Sequence, residues 1–372
     1  VAVALVLLRH AGGVPVLSRI GWVGVDLFFV LSGFLISGLF YSEFQRRGAI
    51  RLRRFFIRRG LKIYPSFYAM ILGTLIACKV LSVHVALGSA LAEVFFVQNY
   101  HVALWPHTWS LGVEEHFYIF LPIFFLILIR RTSDKQNPFR IVPAAFAVVA
   151  VVCLLSRIIT MYFARGNEHA VQMVINPTHN RMDSLFCGVT LAYLFHFRPG
   201  ALAQWFDSRA KQMGIVLVAA ALLSCCLLDL RGFFLPTIGL SFLYLGFGAL
   251  LLLSLYVRDV LPAWLAKPAG ALGTACAFIG AYSYSIYLWH IPFQAYAAGV
   301  LRRVFGIHFG PAGRFCFVLI GTVAFGILMG KLIEFPVLRF RDNLFPPSGT
   351  PSARIGVAEE LTPVATGVSG RG

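Results

Sequence analysis

The sequence predicts an all-α fold, a polytopic membrane helix bundle of about ten transmembrane helices with the first one truncated. Three observations predict it. Hydrophobic residues fill 59% of the 372 positions and charged residues only 13%, where a soluble domain carries about 25%. The mean hydropathy is +0.79. Apolar runs of about 20 residues, the length a helix needs to cross a hydrocarbon layer of about 30 Å, recur along the whole chain. Together these exclude disordered, fibrous and ordinary cytosolic classes.

The first element is the exception in length. Val1 to Leu8 is apolar from its first residue, yet it rises only about 12 Å at about 1.5 Å per residue. With Val rather than Met at position 1, we read it as part of a helix whose upstream half is missing. Full spans are expected near residues 22–40, 61–80, 109–129, 141–163, 182–197, 213–229, 234–256, 272–296 and 314–335. Residues 1–345 make one membrane domain. Residues 346–372 contain Pro and Gly and lack aromatics, so they are expected to stay a disordered cytoplasmic tail.

Charge gives the orientation. Lys and Arg number 32 against 15 Asp and Glu, a formal net of +17. In so apolar a chain the excess reads as a topology signal ahead of nucleic-acid binding, because cytoplasmic loops collect Lys and Arg. Between the second and third helices stand Arg46, Arg47, Arg51, Arg53, Arg54, Arg58, Arg59 and Lys62, with Glu43 the one acid. That loop is expected on the cytoplasmic side, and strict alternation then places both termini there too. Arg302, Arg303 and Arg314 fall on the unfavoured side. The expected location is a plasma or bacterial inner membrane, crossed many times.

The seven cysteines all lie in apolar runs and form no CxxC pair, so we read them as buried small hydrophobes. His101, His107 and His116, with Glu114, match no HExxH spacing, and no metal site is expected.

A charged side chain at mid-bilayer costs about 2.5–3.5 kcal/mol, so each one asks for a reason. Five clusters stand out: Arg9 with His10; Asp26 in GWVGVDLFFVLSGFLISG; Trp109, Ser110, Glu114, Glu115 and His116 in WSLGVEEHFYIFLP; the stretch IGAYSYSIYLWHIP at 279–292; and Glu334 with Pro336. A histidine at a helix end also fits a hydrogen-bonded interfacial role, and Asp26 also fits a helix cap. The dipole at a helix start explains one of the two glutamates but hardly both plus His116. Ser283, Tyr287 and His290 share a helical face by their i, i+4, i+7 spacing, which suits a cavity or an interhelical hydrogen-bond seam equally. Gly33 with Ser37, and Gly326 with Gly330, have the spacing of packing contacts. The stretch RLRRFFIRRGLK at 51–62 enforces topology or holds anionic lipid. Its interleaved Phe55, Phe56 and Ile57 suggest a segment at the membrane interface, whose cations would suit phosphates, Arg best of all through its bidentate fork.

Seven motifs in order, LLRHAG at 7–12, GVDLFFVLSGFLISG at 24–38, FFIRRGLKIYP at 55–65, WSLGVEEHFYIFLP at 109–122, RMDSLFCGVTLAY at 181–193, YSYSIYLWHIP at 282–292 and IEFPVLR at 333–339, closely resemble the acyltransferase-3 family of integral-membrane O-acyltransferases. The resemblance implies a ten-helix fold that moves an acyl group, usually acetyl, from cytoplasmic acyl-CoA to a hydroxyl of a glycan, glycolipid or similar acceptor. It implies His10 as the catalytic histidine, Arg58 and Arg59 in the donor-binding basic motif, and Glu114, His290 and Glu334 in or near the channel. Two departures are visible. The basic residue that members usually carry upstream of the histidine would fall before Val1, and Lys62 stands where Arg is commoner, which keeps the charge and loses the fork.

The full expectation follows. His10 acts as general base, since a neutral imidazole with a pKa near 6.5 suits removal of a hydroxyl proton, and Asp26 orients its ring; an acyl-histidine intermediate is equally compatible. Arg58, Arg59 and Lys62 bind the acyl-CoA donor. Ser110, Glu114, Arg181, Tyr287, His290 and Glu334 line the channel or substrate path. The partners are acyl-CoA, a hydroxyl acceptor and membrane lipid, with no nucleic acid. The alternative is a transporter or flippase of a glycan or lipid precursor, in which the buried Glu, His and Arg form a translocation path.

Overall fold

The structure is a computed structural model that describes residues 1–11, 15–134, 136–256, 263–305 and 310–346. Among the described residues there are helices and no strands. In chain order they are α1 (Ala2–Ala11), α2 (Pro15–Ile20), α3 (Gly24–Arg47), α4 (Leu52–Val80), α5 (Leu87–Val94), α6 (Trp109–Arg131), α7 (Val142–Phe163) and α8 (Ala170–Ile175). There follow α9 (Met182–Phe197), α10 (Pro199–Ala203), α11 (Arg209–Leu223), α12 (Leu240–Tyr256), α13 (Ala263–Ala281), α14 (Ser283–Phe305), α15 (Pro311–Met329) and α16 (Phe335–Leu344). Seven helical segments among the described residues are long and apolar enough to cross a bilayer, and α1 and α9 are shorter apolar helices. The face that α7 turns outward is apolar, with Val148, Val151, Val152, Leu155 and Ile159 all exposed. In water that surface would be an aggregation patch; against lipid it is the expected exterior.

Three sequence expectations need correction. The span expected at 61–80 starts earlier: α4 is helical from Leu52, so the basic residues from Arg53 to Lys62 occupy its first three turns. Gly48, in a left-handed conformation (φ 67°) with its N–H on the Phe44 carbonyl, ends α3 just before, the usual glycine stop signal. The run 272–296 is not one span, because the chain breaks between α13 and α14 at Tyr282, whose ring is wedged between Phe278 (5.2 Å) and Phe335 (4.8 Å). The cysteines are not all buried, since Cys276 and Cys316 are exposed. The tail expected from 346 onward lies, apart from Pro346, outside the described residues.

The closest helix pair is α3 with α9. A Cβ on Gly33 would stand 2.0 Å from the Leu185 carbonyl oxygen, and one on Gly188 would stand 2.1 Å from that of Val30. Backbone therefore meets backbone, the contact that small residues permit in membrane helices. Tyr41 donates to the Val189 carbonyl (3.4 Å) and Gln45 to that of His196 (2.9 Å) further along, so the two helices run parallel. Around them one apolar core joins α1, α3, α4, α6, α9 and α14 through Phe29, Phe67, Met70, Phe117, Phe125, Phe186 and Leu288. A second, built on Val30, Cys187, Leu240 and Leu243, fastens α12 to the pair.

One connection is held by a buried carboxylate. Glu93 Oε1 accepts from the backbone N–H groups of Leu104 (3.1 Å) and Trp105 (3.3 Å) and from the Thr108 hydroxyl (2.8 Å). This closes the loop between α5 and α6 and fixes His107 within it. Burial pushes the Glu93 carboxyl up from 4.5 to about 7.

Two outcomes are expected. Gly188→Leu forces α3 from α9, and overpacking of this kind costs about 1–3 kcal/mol or more; the melting temperature of the purified protein in detergent should fall clearly, whereas Gly214→Leu, with open space around it, should leave it unchanged. For Glu93, a folded pKa above the unfolded one means that the folded state keeps the proton, so this group's contribution is complete below about pH 4.5 and is lost as pH rises through about 7. Glu93→Gln cannot ionise, and melting curves across that window should show a smaller loss than those of the parent.

Candidate active site

Two cavities enter the bundle, one of about 640 Å³ and one of about 600 Å³. The first is the arginine cavity. Arg59 and Lys62 of α4, Ser110, Glu114, Glu115 and Tyr118 of α6, Ser32 of α3 and Ser283, Tyr284 and Tyr287 of α14 line it, and the rest of its wall is largely apolar. Arg59, Tyr118, Glu114 and Ser32 form one cluster. The Arg59 guanidinium lies over the Tyr118 ring at 4.0 Å and donates to the Tyr118 hydroxyl. It also stands 3.6 Å from Glu114 Oε2. The Tyr118 hydroxyl gives its own proton to Glu114 and so accepts from Ser32, 2.7 Å away. Arg59 Nε is buried with no protein partner.

The second is the histidine cavity, lined by Arg9, His10, Trp22, Asp26, Gln98, His107, Trp109 and Arg181 among others. His10 Nδ1 faces the Val6 carbonyl at 3.0 Å, one helical turn back. A carbonyl only accepts, so the proton sits on Nδ1 and Nε2 keeps its lone pair. Behind His10 lies His290, ring centroids 5.0 Å apart, and behind that His107, a further 4.7 Å on. These two rings are fixed in the same way, His290 Nδ1 by the Tyr287 carbonyl (2.5 Å) and His107 Nε2 by the Leu288 carbonyl (3.0 Å). Burial pulls the His107 pKa down to about 3, so that ring is neutral near pH 7.

The structure brings together most of the residues singled out from sequence and separates some. Ser110 and Tyr287 bond each other at 2.5 Å. Glu334, at the end of a π-helical turn over Gly330–Glu334, accepts from Ser285 at 2.6 Å. Asp26 lines the histidine cavity but does not hold His10: its Oδ1 pairs with Arg181 at 2.5 Å, and the ring is oriented by its own helix's Val6 carbonyl. The expected orienting role is therefore corrected. An aspartate and an arginine buried in the same place neutralise each other before either serves a neutral imidazole. Arg58 is likewise not in the cavity lining. It sits about 100° around α4 from Arg59 and pairs with Asp342 of α16 at 3.0 Å, with a second hydrogen bond to the Phe345 carbonyl. Glu115 accepts from Tyr64 (3.1 Å), and His116 is bonded to Thr178 (2.6 Å). Among the described residues no group of three or more His, Cys, Asp or Glu is arranged to hold a metal ion.

Sequence reasoning missed several contributors. Tyr118 was visible as the residue one turn after Glu114 in the fourth motif. Arg157, in the middle of an apolar run, should have drawn notice as an intramembrane charge; it is fully buried and pairs with Asp183 at 2.8 Å beside the Asp26–Arg181 pair. His107 drew notice only as a metal candidate. Ser32 and Ser285 lie inside the quoted motifs but were not singled out within them.

The family model described as an acyltransferase domain matches residues 3–331, which takes in every candidate above except Glu334. The peptidoglycan O-acetyltransferase OatA of Listeria monocytogenes is 28% identical over 304 residues, covering 76% of this chain and 46% of that protein. A Staphylococcus aureus protein provisionally named an O-acetyltransferase is 30% identical over 290 residues, covering 73% of this chain and 45% of its own length. A Bacillus subtilis protein provisionally named the peptidoglycan O-acetyltransferase YrhL is 27% identical over 294 residues, with 73% and 44% covered. The chain thus spans under half the length of these curated relatives. No solved structure matches it. On the strength of a family match that runs from α1 into the last π-helical turn, the chain belongs to the acyltransferase-3 family of membrane acyltransferases.

Proposed function

We propose that this chain moves an acyl group, acetyl above all, from cytoplasmic acyl-CoA to a hydroxyl of a cell-surface or exported glycan or glycolipid. One observation carries the reading: a cation-bearing, largely apolar cavity and a histidine cavity enter the same bundle and share a wall. The first suits a donor with phosphates at one end and an acyl-pantetheine arm at the other. The unpartnered Arg59 Nε and the Lys62 ammonium are its available donors, and Arg suits phosphate through paired N–H groups. The second suits a polyhydroxylated acceptor, with Trp22 and Trp109 among its polar side chains. The relatives named as peptidoglycan O-acetyltransferases support a glycan as acceptor.

The residues then divide the work. His10, with Nε2 unprotonated, takes the acceptor's hydroxyl proton as the oxygen attacks the thioester carbonyl. The new C–O bond forms, the C–S bond breaks, and the proton passes from His10 to the leaving CoA thiolate. General-base help of this kind contributes about 10²–10⁴-fold. His290 and His107 back the catalytic ring with two neutral imidazoles rather than a carboxylate. The basic start of α4 argues for the arginine cavity facing the cytoplasm, so the thioester must be reached through the bundle. The domain 1–345 is the unit to which this activity is assigned.

Two experiments test the reading. His10→Ala should insert normally and lose roughly 10²–10⁴-fold in transfer, while Arg59→Ala should weaken acyl-CoA binding roughly 10- to 150-fold in a titration at low salt; an acceptor that moves across the membrane with no acyl-CoA consumed would replace the proposal by a transporter. For orientation, single cysteines at Arg47 and at Val102, both exposed, are placed in a background lacking the native seven. With an impermeant thiol reagent on intact cells, Val102→Cys should react and Arg47→Cys should not. The opposite pattern would put both cavities the other way round.

A further inference from the structure

Among the described residues the two cavities have only two lining residues in common, Val25 and Tyr287. Four helices contribute to both linings, and α6 does so with Trp109 on the histidine side and Ser110 and Glu114 on the arginine side. α3 passes from Asp26 on the histidine side to Phe28 and Ser32 on the arginine side, and α1 carries His10 on the one side and Leu5 on the other. α14 gives Ser283 and Tyr284 to the arginine cavity and Tyr287 to both, with His290 behind His10 one turn further on. Tyr287 lines both cavities, so its ring stands in their shared wall. Phe28 meets it edge-on at 5.9 Å from the arginine side and His107 at 5.6 Å from the histidine side.

Its hydroxyl is latched. It donates to the His107 carbonyl at 2.8 Å and so accepts from Ser110 Oγ at 2.5 Å. Both partners belong to the entrance of α6, whereas the ring belongs to α14. The latch therefore ties two helices that are far apart in sequence, and swinging the ring aside breaks both bonds at once.

We propose that Tyr287 is the gate between the two cavities, closed by Ser110 and the His107 carbonyl and opened by a swing of its ring. The proposal rests on the acyl-transfer reading only for what passes through, namely the acyl end of the donor. In that reading Tyr287 is a positioning and size-selecting residue, because the opening left by one displaced phenol ring admits a short acyl group more readily than a long one.

The test measures the opening itself and uses no acyl donor. A single cysteine at Ser283, on the arginine side, is placed in the full chain without its native cysteines, and a small anionic methanethiosulfonate is added only on the face where His10 opens. A cysteine at Val102 reports that the reagent reaches that face. With Tyr287 present, Ser283→Cys should stay unlabelled. Tyr287→Ala removes the gate, and Tyr287→Phe keeps the ring while losing both latch bonds; each should raise the labelling rate roughly tenfold or more. Parent-level labelling in both variants would overturn the gate. The two variants together cover the case in which the alanine chain does not fold, since the phenylalanine chain conserves the packing. If transfer itself proves independent of His10, the acyl-transfer reading fails while the labelling result for the gate stands.

Discussion

Where α3 and α9 touch through Gly33 and Gly188, two helix backbones come close enough for carbonyl oxygens to occupy the space a side chain would need. The other features of the site are positioned by that contact. It is parallel, so the starts of both helices lie together, and the charges at those starts, Asp26 and Arg181, meet at 2.5 Å. A wider pair would leave each charge alone in a medium that cannot solvate it. The neighbouring Arg157–Asp183 pair, bonded also to Ser241 and to the Asn180 carbonyl, extends the same solution to α7 and α12. The two pairs cost desolvation and return little net stability. What they provide is a fixed frame beside the histidine cavity.

The polar interior is organised by depth. The Asp26–Arg181 pair and His10 line one cavity, the Ser110–Tyr287 hydroxyl pair lies where the two cavities meet, and the Arg59, Glu114 and Tyr118 cluster lines the other. Irregular backbone follows the same logic. The π-helical turns at Leu235–Gly239 and Gly330–Glu334 and the prolines inside α4, α6 and α14 all sit in helices packed by neighbours. Such interruptions are tolerated in membrane proteins where surrounding groups satisfy the backbone. The turn ending at Glu334 delivers its carboxylate to Ser285, a position that a straight helix would present one residue differently.

Much of this was legible in the sequence because membrane physics is written in composition. Apolar runs gave the helical class, and ionisable residues inside those runs gave His10, Asp26, Glu114, His290 and Glu334 as places to look. What stayed hidden was pairing. Asp26 is separated from Arg181 by 155 positions, and nothing local tells an aspartate at a helix start whether it will meet an imidazole or a guanidinium. Arg58 and Arg59 are equally basic in sequence; only the helical phase of α4 sends one into the cavity and the other to Asp342. The break at Tyr282 was invisible for a related reason, since aromatic wedging against Phe278 and Phe335 is tertiary and leaves no mark on hydropathy. Arg157 was readable and overlooked.

Arg59 does not wait in its cavity as a bare cation. Glu114 and Tyr118 already occupy part of its hydrogen-bonding capacity, so on the proposed reading an incoming phosphate would have to displace or share those contacts, and part of the gain on binding would be offset by what is given up. When the ligand leaves, Glu114 and Tyr118 are in place to receive the guanidinium again. A site built this way holds its anion at moderate strength and lets it exchange. On the acyl-CoA reading proposed above, that restraint would favour discharge of the spent carrier after every cycle.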